Sequence, residues 1–155
     1  AYYKPRRILE FGTSLAWGTL HMHLGNDQAF IDTVEGCPQT FNISKSLFPV
    51  DSAQVQFHNA IFEDFIDNLR DEVYDLIFID GNHRGEALLK YVELLLPYSN
   101  AETIWILDDI RWSDDMWSAW EQIANDPRFH VSIDYLRMGI VLRRESQEKE
   151  AFVLK

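Results

Sequence analysis

The sequence has very little cysteine, no long apolar run and far fewer basic than acidic residues. Its single cysteine, Cys37, excludes an internal disulfide and favours a reducing, cytoplasmic environment. No run of about 18 apolar residues occurs, and the first residues lack an apolar signal core, so we expect neither a membrane helix nor a secretion signal. Only 14 Lys and Arg accompany 25 Asp and Glu, for a net charge of −11. Nucleic acid is therefore not an expected partner, because a binder must neutralise phosphates.

What the sequence does contain is enough apolar material for one core. The 155 residues are 46% hydrophobic and 14% aromatic, which favours a single domain over residues 1–155. Strand-like segments are predicted near Ile8–Gly12, Ala29–Val34, Gln54–His58, Tyr74–Asp80, Thr103–Asp109, His130–Asp134 and Met138–Leu142. Helix-like segments alternate with them near Trp17–Leu24, Pro38–Leu47, Ile61–Leu69, Gly85–Leu96 and Asp114–Asn125. This alternation predicts an α/β sandwich, with the last two strands as an antiparallel hairpin. Residues 151–154 are apolar and are expected to dock back or to cap a sheet edge.

Acidic residues stand at the ends of four predicted strands. They are Glu10, Glu35, Asp80, and the pair Asp108 and Asp109. The carboxyl ends of parallel strands form the ligand edge of an open α/β sheet. Carboxylates crowded there repel one another unless a cation offsets them, so the pattern predicts a positively charged ligand, a metal ion, or both. Glu35, which ends the second strand, has the position of an acid that accepts hydrogen bonds from a ribose diol.

The turn after the first strand argues against a dinucleotide. A pyrophosphate-binding turn needs the pattern G-x-G-x-x-G. Here Gly12 is followed by Ser14 at the second glycine position, and the next glycine is Gly18. A nucleoside cofactor without phosphates, such as S-adenosylmethionine with its sulfonium cation, suits this turn better than NAD or FAD.

Several motifs in order resemble the class I S-adenosylmethionine-dependent methyltransferases, and most of all the bacterial small-molecule O-methyltransferase-like group. They are Glu10-x-Gly12, Glu35 after the second strand, Phe78-Ile79-Asp80-Gly81-Asn82-His83, and Leu107-Asp108-Asp109-Ile110-Arg111-Trp112-Ser113. The resemblance implies a Rossmann-like three-layer αβα sandwich. Its sheet would have seven mostly parallel strands in the order 3-2-1-4-5-7-6, with the last strand antiparallel.

The resemblance also implies site residues and partners. The cofactor S-adenosylmethionine would be bound by Glu10, Gly12, Thr13, Ser14, Trp17, Glu35, Gly36, Asn59, Ala60 and Asp80. Asp80 and His83 would be catalytic, because a carboxylate and a neutral imidazole can accept a hydroxyl proton. The methyl acceptor would be an oxygen of a small molecule. A homodimer is one open alternative for the oligomeric state.

Metal-dependent relatives imply that Asp80, Asp108 and Asp109 hold Mg²⁺ or Ca²⁺, which prefer oxygen ligands. Neighbouring residues on a strand point to opposite faces, so both aspartates reach one ion only if the strand ends between them. In the alternative, one of them caps the following helix and the other lies near the cofactor.

Departures from the family pattern keep two rival functions open. Relatives commonly have glycine where Ala16 stands, and many carry N-terminal helices over the acceptor pocket, whereas this chain opens on the first strand. One rival is a non-catalytic Rossmann-like module that binds a cofactor or a partner. The other is a nucleotide- or NAD-linked enzyme.

Overall fold

One eight-stranded sheet, with helices on both faces, organises the part of the chain that the computed structural model describes, residues 3–50 and 52–154. The strands are β1 Arg7–Phe11, β2 Phe30–Glu35, β3 Val55–Asn59, β4 Leu76–Ile79, β5 Ile104–Leu107, β6 Val131–Tyr135, β7 Met138–Leu142 and β8 Glu150–Leu154. The helices are α1 Trp17–Gly25, α2 Pro38–Leu47, α3 Phe62–Asp67, α4 Gly85–Leu95 and α5 Asp114–Asn125, with a short 3₁₀ turn at Leu96–Tyr98. Among the described residues, no helix has the length and apolarity needed to cross a membrane.

The strand order is β3-β2-β1-β4-β5-β7-β6-β8, which confirms the predicted Rossmann-like αβα sandwich. The central strands are parallel and carry the apolar runs that the sequence shows. Leu9, Ile77 and Trp105 are neighbours in register on β1, β4 and β5, and all three are fully buried. Such runs suit strands covered by helices on both faces. As predicted, β7 runs antiparallel to β5 and β6.

An eighth strand extends the predicted seven. The segment Glu150–Leu154 pairs in parallel with β6, with Phe152 in register with Ile133. A strand at the edge of a sheet offers unpaired N–H and C=O groups, and β8 satisfies those of β6. The expectation that residues 151–154 dock back on a sheet edge is thereby confirmed.

The helix α5 is set against the hairpin at a glycine. A Cβ added at Gly139 of β7 would lie under 3.0 Å from the ring of Trp120, so the absence of a side chain lets this indole pack directly on the sheet. The tight packing holds the β6–β7 hairpin beside the end of β5. Because β7 runs antiparallel to β5 and pairs Gly139 with Leu107, the turn of this hairpin lies at the same edge as the carboxyl ends of β1, β2, β4 and β5.

Candidate functional site

The turn after β1 is built around one obligatory glycine. Gly12 has φ +99°, and an added Cβ would lie under 3.0 Å from the carbonyl oxygen of Asp80. Its N–H donates to the carbonyl oxygen of Val34 at 2.9 Å. A residue with a side chain fits neither this φ nor this approach. Gly12 thus draws the ends of β1, β2 and β4 together.

Ala16, where relatives commonly have glycine, keeps the turn shape despite its side chain. It adopts the left-handed conformation with φ 60°. Its N–H donates to the carbonyl oxygen of Thr13 at 2.7 Å, and its methyl group is buried. The departure at this position therefore costs conformational strain of roughly 1–2 kcal/mol but does not remove the turn.

A cavity of about 410 Å³ opens at this edge of the sheet. Five residues predicted to bind the cofactor line it: Gly12, Ser14, Glu35, Gly36 and Asp80. Sequence reasoning missed six other lining residues: Ile61, Phe62, Glu63, Gly81, Asn82 and Tyr91. Gly81 and Asn82 directly follow Asp80 in the quoted motif, which was a usable signal. The others lie in α3, in α4, or, for Ile61, directly before α3. Only the packing of these helices on the sheet brings them to the cavity.

Glu35 is held in place by the backbone of two turns. Its Oε2 accepts a hydrogen bond from the N–H of Ser14 at 3.1 Å, and its Oε1 accepts one from the N–H of Cys37 at 2.9 Å. Each carboxylate oxygen has a further lone pair for a ligand. The carboxylate is therefore oriented at the cavity wall, and it can accept two more hydrogen bonds without rearranging.

Glu10 and Thr13 lie behind the turn rather than in the cavity. Glu10 is only 1% exposed and accepts hydrogen bonds from the hydroxyls of Thr19 and Thr33, the latter at 2.6 Å. Thr13 is buried as well, with its hydroxyl 2.6 Å from that of Thr33. Burial raises the pKa of Glu10 to about 7, although the threonine hydrogen bonds oppose this rise. The structure thus places these two residues behind the turn, outside the residues that line the cavity.

Three further predicted cofactor residues lie outside the cavity lining. Asn59 Nδ2 and the N–H of Ala60 both donate to the carbonyl oxygen of Glu35, at 2.8 and 3.2 Å, and so brace the turn after β2. Trp17 is 66% exposed at the start of α1. Its place beside the first turn was predictable, but its side chain is directed to the surface.

Asp80 and Asp108 form a coupled pair of acids. β5 ends at Leu107, so Asp108 and Asp109 both lie in the following turn, where Asp109 has φ 52°. Burial, the charge of Asp108 and a hydrogen bond shared with it raise the pKa of Asp80 to about 7, and Asp109 adds to this rise. Asp80 therefore retains its proton more readily near neutral pH than an ordinary carboxyl group does.

The alternative that one of these aspartates caps the next helix is wrong. Ser113 is the N-cap of α5, and its side-chain oxygen accepts a hydrogen bond from the N–H of Met116 at 3.2 Å. Asp109 instead accepts two hydrogen bonds from the guanidinium of Arg137. Both aspartates therefore remain at the carboxyl end of the sheet.

The donor set for Mg²⁺ or Ca²⁺ is not assembled. Asp109 Oδ1 accepts hydrogen bonds from Arg137 Nε at 3.0 Å and from Arg137 Nη2 at 2.6 Å. Within residues 3–50 and 52–154, no group of three or more His, Cys, Asp and Glu side chains is arranged to hold a metal ion. The arginine engages Asp109, so the residues present do not fit the predicted metal.

His83 lies beside the acid cluster. Its Nε2 is 4.0 Å from Asp109 Oδ2, and its ring centroid is 5.5 Å from that of Trp112. Trp112 is 65% exposed. The imidazole and the indole thus form an accessible aromatic rim next to Asp80, Asp108 and Asp109.

Comparisons with known proteins agree with this geometry. The model of a methyltransferase-domain family matches residues 9–110. A methyltransferase of Podospora anserina with bound S-adenosylhomocysteine has 23% identity and a TM-score of 0.75, over 90% of this chain and 71% of that chain. An O-methyltransferase of Bacillus cereus in complex with S-adenosylhomocysteine has 22% identity and a TM-score of 0.73, over 89% and 74%. The O-methyltransferase TomG of Streptomyces achromogenes, in complex with S-adenosylmethionine, has 18% identity and a TM-score of 0.75, over 90% and 73%.

No curated protein sequence matches the chain significantly. At these identities the solved structures establish a shared fold, while the family model bears on the sequence itself. Its match spans the Gly12 turn, Glu35 and the acid cluster, and it covers more than half of the 155 residues. The chain therefore belongs to the methyltransferase-domain family.

Proposed function

We propose that this domain binds S-adenosylmethionine in the cavity and transfers its methyl group to an oxygen of a small molecule. The observation that carries the proposal is the placement of Glu35. Its carboxylate is fixed by the backbone N–H groups of Ser14 and Cys37 and faces the cavity beside the Gly12 turn. A carboxylate in this position matches a ribose diol, and a turn without a phosphate-binding glycine pattern matches a cofactor without phosphates.

The lining residues divide the cavity into regions with different chemistry. Gly12 and Ser14 would border the methionine part, and Glu35 would hold the ribose hydroxyls. Gly36, Ile61 and Phe62 offer an apolar wall for the adenine. Phe62 is itself stacked on Phe11, with ring centroids 4.4 Å apart, which makes this wall rigid.

Asp80 is the residue best placed to manage the acceptor proton. When bound, S-adenosylmethionine would supply an electrophilic methyl group: the acceptor oxygen would form the new C–O bond as the bond from sulfur to the methyl carbon breaks, and the sulfonium would become a neutral thioether. The hydroxyl proton must go to a base on the protein, and the pKa of Asp80, raised to about 7 by burial and Asp108, suits that task near neutral pH. His83 is the second candidate base. Aligning acceptor and methyl group is worth up to roughly 7–11 kcal/mol.

The acceptor is proposed to be a small molecule that reaches the site from the exposed rim of His83 and Trp112. The net charge of −11 disfavours a nucleic acid or an anionic membrane surface. We propose that residues 1–155 act as one domain in the cytoplasm. A homodimer and a bacterial origin remain predictions from the sequence. Mg²⁺ and Ca²⁺ have no part in this proposal, because Arg137 engages Asp109.

The test is calorimetric titration of the domain with S-adenosylhomocysteine. We expect saturable one-to-one binding by the wild type. In Glu35→Gln the ribose should lose a charge-assisted contact of roughly 1.5–3 kcal/mol, which weakens binding about 10- to 150-fold. Glu121→Gln, an exposed acid of α5, is the matched control and should bind like the wild type.

Three results would contradict the proposal. If folded Glu35→Gln binds as tightly as the wild type, Glu35 does not hold the ribose. If NADH binds and S-adenosylhomocysteine does not, the NAD-linked alternative is correct. Binding without methyl transfer to any hydroxylated acceptor would instead favour the non-catalytic module.

A further inference from the structure

The acid cluster of Asp80, Asp108 and Asp109 has a charge problem that the fold must solve. Three carboxylates at the ends of β4 and β5 repel one another, and burial increases the cost. The side chain of Asp109 is only 12% exposed. A fixed positive charge is needed at that point.

The turn of the β6–β7 hairpin supplies this charge. Arg137 directs Nε and Nη2 to Asp109 Oδ1, at 3.0 and 2.6 Å. Its positive charge also lowers the pKa of Asp80, against the stronger effects that raise it. The guanidinium therefore acts on the cluster as a whole, although its direct contact is with Asp109.

The backbone fixes Arg137 in this position independently of its side chain. The carbonyl oxygen of Arg137 accepts a hydrogen bond from the N–H of Ile110 at 2.9 Å. Arg111 Nε donates to the carbonyl oxygen of Leu136 at 3.0 Å, and Arg111 Nη2 donates to Asp134. The hairpin turn is thus tied to the turn that carries the aspartates at three points. Arg137 is a built part of the cluster even though its side chain is 74% exposed.

We propose that Arg137 is the resident cation of this acid cluster and takes the place of a divalent metal ion, so that the domain binds neither Mg²⁺ nor Ca²⁺ there. Only the catalytic meaning of the cluster rests on the proposed function. The claim about charge concerns Arg137 and the three aspartates alone. It predicts that removing the guanidinium of Arg137 is enough to create a metal site, with no new metal-ligating residue added.

Manganese binding followed by electron paramagnetic resonance tests this directly, because free and protein-bound Mn²⁺ give different signals. The wild type should show no saturable Mn²⁺ binding. Arg137→Gln frees Asp109 and removes one adjacent positive charge, so Mn²⁺ should bind at one site at least about tenfold more tightly than in the wild type. Mg²⁺ should displace it, and the added substitution Asp109→Asn should abolish the gain.

Arg143→Gln is the matched control, since Arg143 pairs with the exposed Glu145 away from the cluster. It should bind no Mn²⁺. Saturable binding by the wild type that Asp109→Asn abolishes would overturn the proposal, and so would a folded Arg137→Gln protein that binds no Mn²⁺. Should Arg137→Gln not fold, Arg137→Ala and the wild-type titration still decide the question.

A second measurement on the same samples tests the proposed function separately from the role of Arg137. S-adenosylhomocysteine titrations of the wild type with EDTA and with Mg²⁺ should give the same affinity. Absence of all S-adenosylhomocysteine binding would contradict the proposed function and leave the manganese result intact. Binding that EDTA abolishes would contradict the role of Arg137 and leave the cofactor assignment intact.

Discussion

The burial of Glu10 makes the stability of this domain depend on pH in a specific direction. Its carboxyl group is enclosed by β1, β2 and α1, with Thr19 and Thr33 as its hydrogen-bond donors. A Cβ added at Gly18 would lie under 3.0 Å from Glu10 Oε1, so the helix backbone closes over the acid. No cation contacts this group in the part of the chain that the structure describes. Its ionised form is therefore stabilised by two neutral hydroxyls only.

The size of the effect follows from the shift in pKa. Burial raises the pKa of Glu10 from 4.5 to about 7 on folding. A group whose pKa is raised by folding contributes stability that is fully present below its unfolded pKa and is lost as the pH rises through its folded pKa. As the pH rises from 4.5 to about 7, this shift removes roughly 3 kcal/mol of the free energy of unfolding. Above the folded pKa the loss stays constant.

Glu10→Gln removes the ionisation and keeps the shape of the side chain. Urea titrations of both proteins from pH 4.5 to pH 8 measure the free energy of unfolding at each pH. The free energy of unfolding of the variant minus that of the wild type should increase by roughly 3 kcal/mol from pH 4.5 to pH 8. This increase is expected whatever the difference is at pH 4.5. Asp80 titrates in both proteins, so most of its own contribution drops out of the difference. Glu121→Gln should parallel the wild type, and a parallel course for Glu10→Gln would refute the reasoning.

Two further substitutions test the framework of the site. In Gly12→Ala the new methyl group would clash with the carbonyl oxygen of Asp80, and alanine disfavours this positive φ. Urea titrations should therefore show a free energy of unfolding lower by roughly 2–4 kcal/mol. An unchanged value would show that the turn can open. Although burial opposes it, His58 and Arg7 lower the pKa of Asp32 below 3.8, so its stabilising effect is present above that pH and is lost in acid. Asp32→Asn should therefore destabilise the domain most near pH 7 and least near pH 3 in thermal melts; a loss of equal size at both would contradict this.

One form of the non-catalytic alternative, a module that has lost its cofactor, is weakened by what the turn retains. Ala16 adopts the conformation that a glycine would take, and Glu35 is held ready by two backbone N–H groups. A domain that had lost its cofactor would have no reason to keep an oriented carboxylate at the cavity wall.

The sequence by itself determined the layered fold and the position of the site edge. Continuous apolar runs identify β4 and β5, because strands covered on both faces need them. Gly12 and Glu35 were predictable for a similar reason, since a turn and a strand end are local features that short motifs encode. The predicted bounds of the strands and helices agree with the structure to within one or two residues at most ends.

Only the tertiary structure decided which groups surround each acid. Glu10 has the same motif position as a ligand-binding residue, yet α1 closes over it and turns it into a buried support. Asp109 faces Arg137 from a hairpin 28 positions away in the chain, and Phe62 and Tyr91 reach the cavity from separate helices. Short motifs specify the local backbone. Burial and charge balance depend on contacts between distant segments, and these exist only once the helices have packed on the sheet.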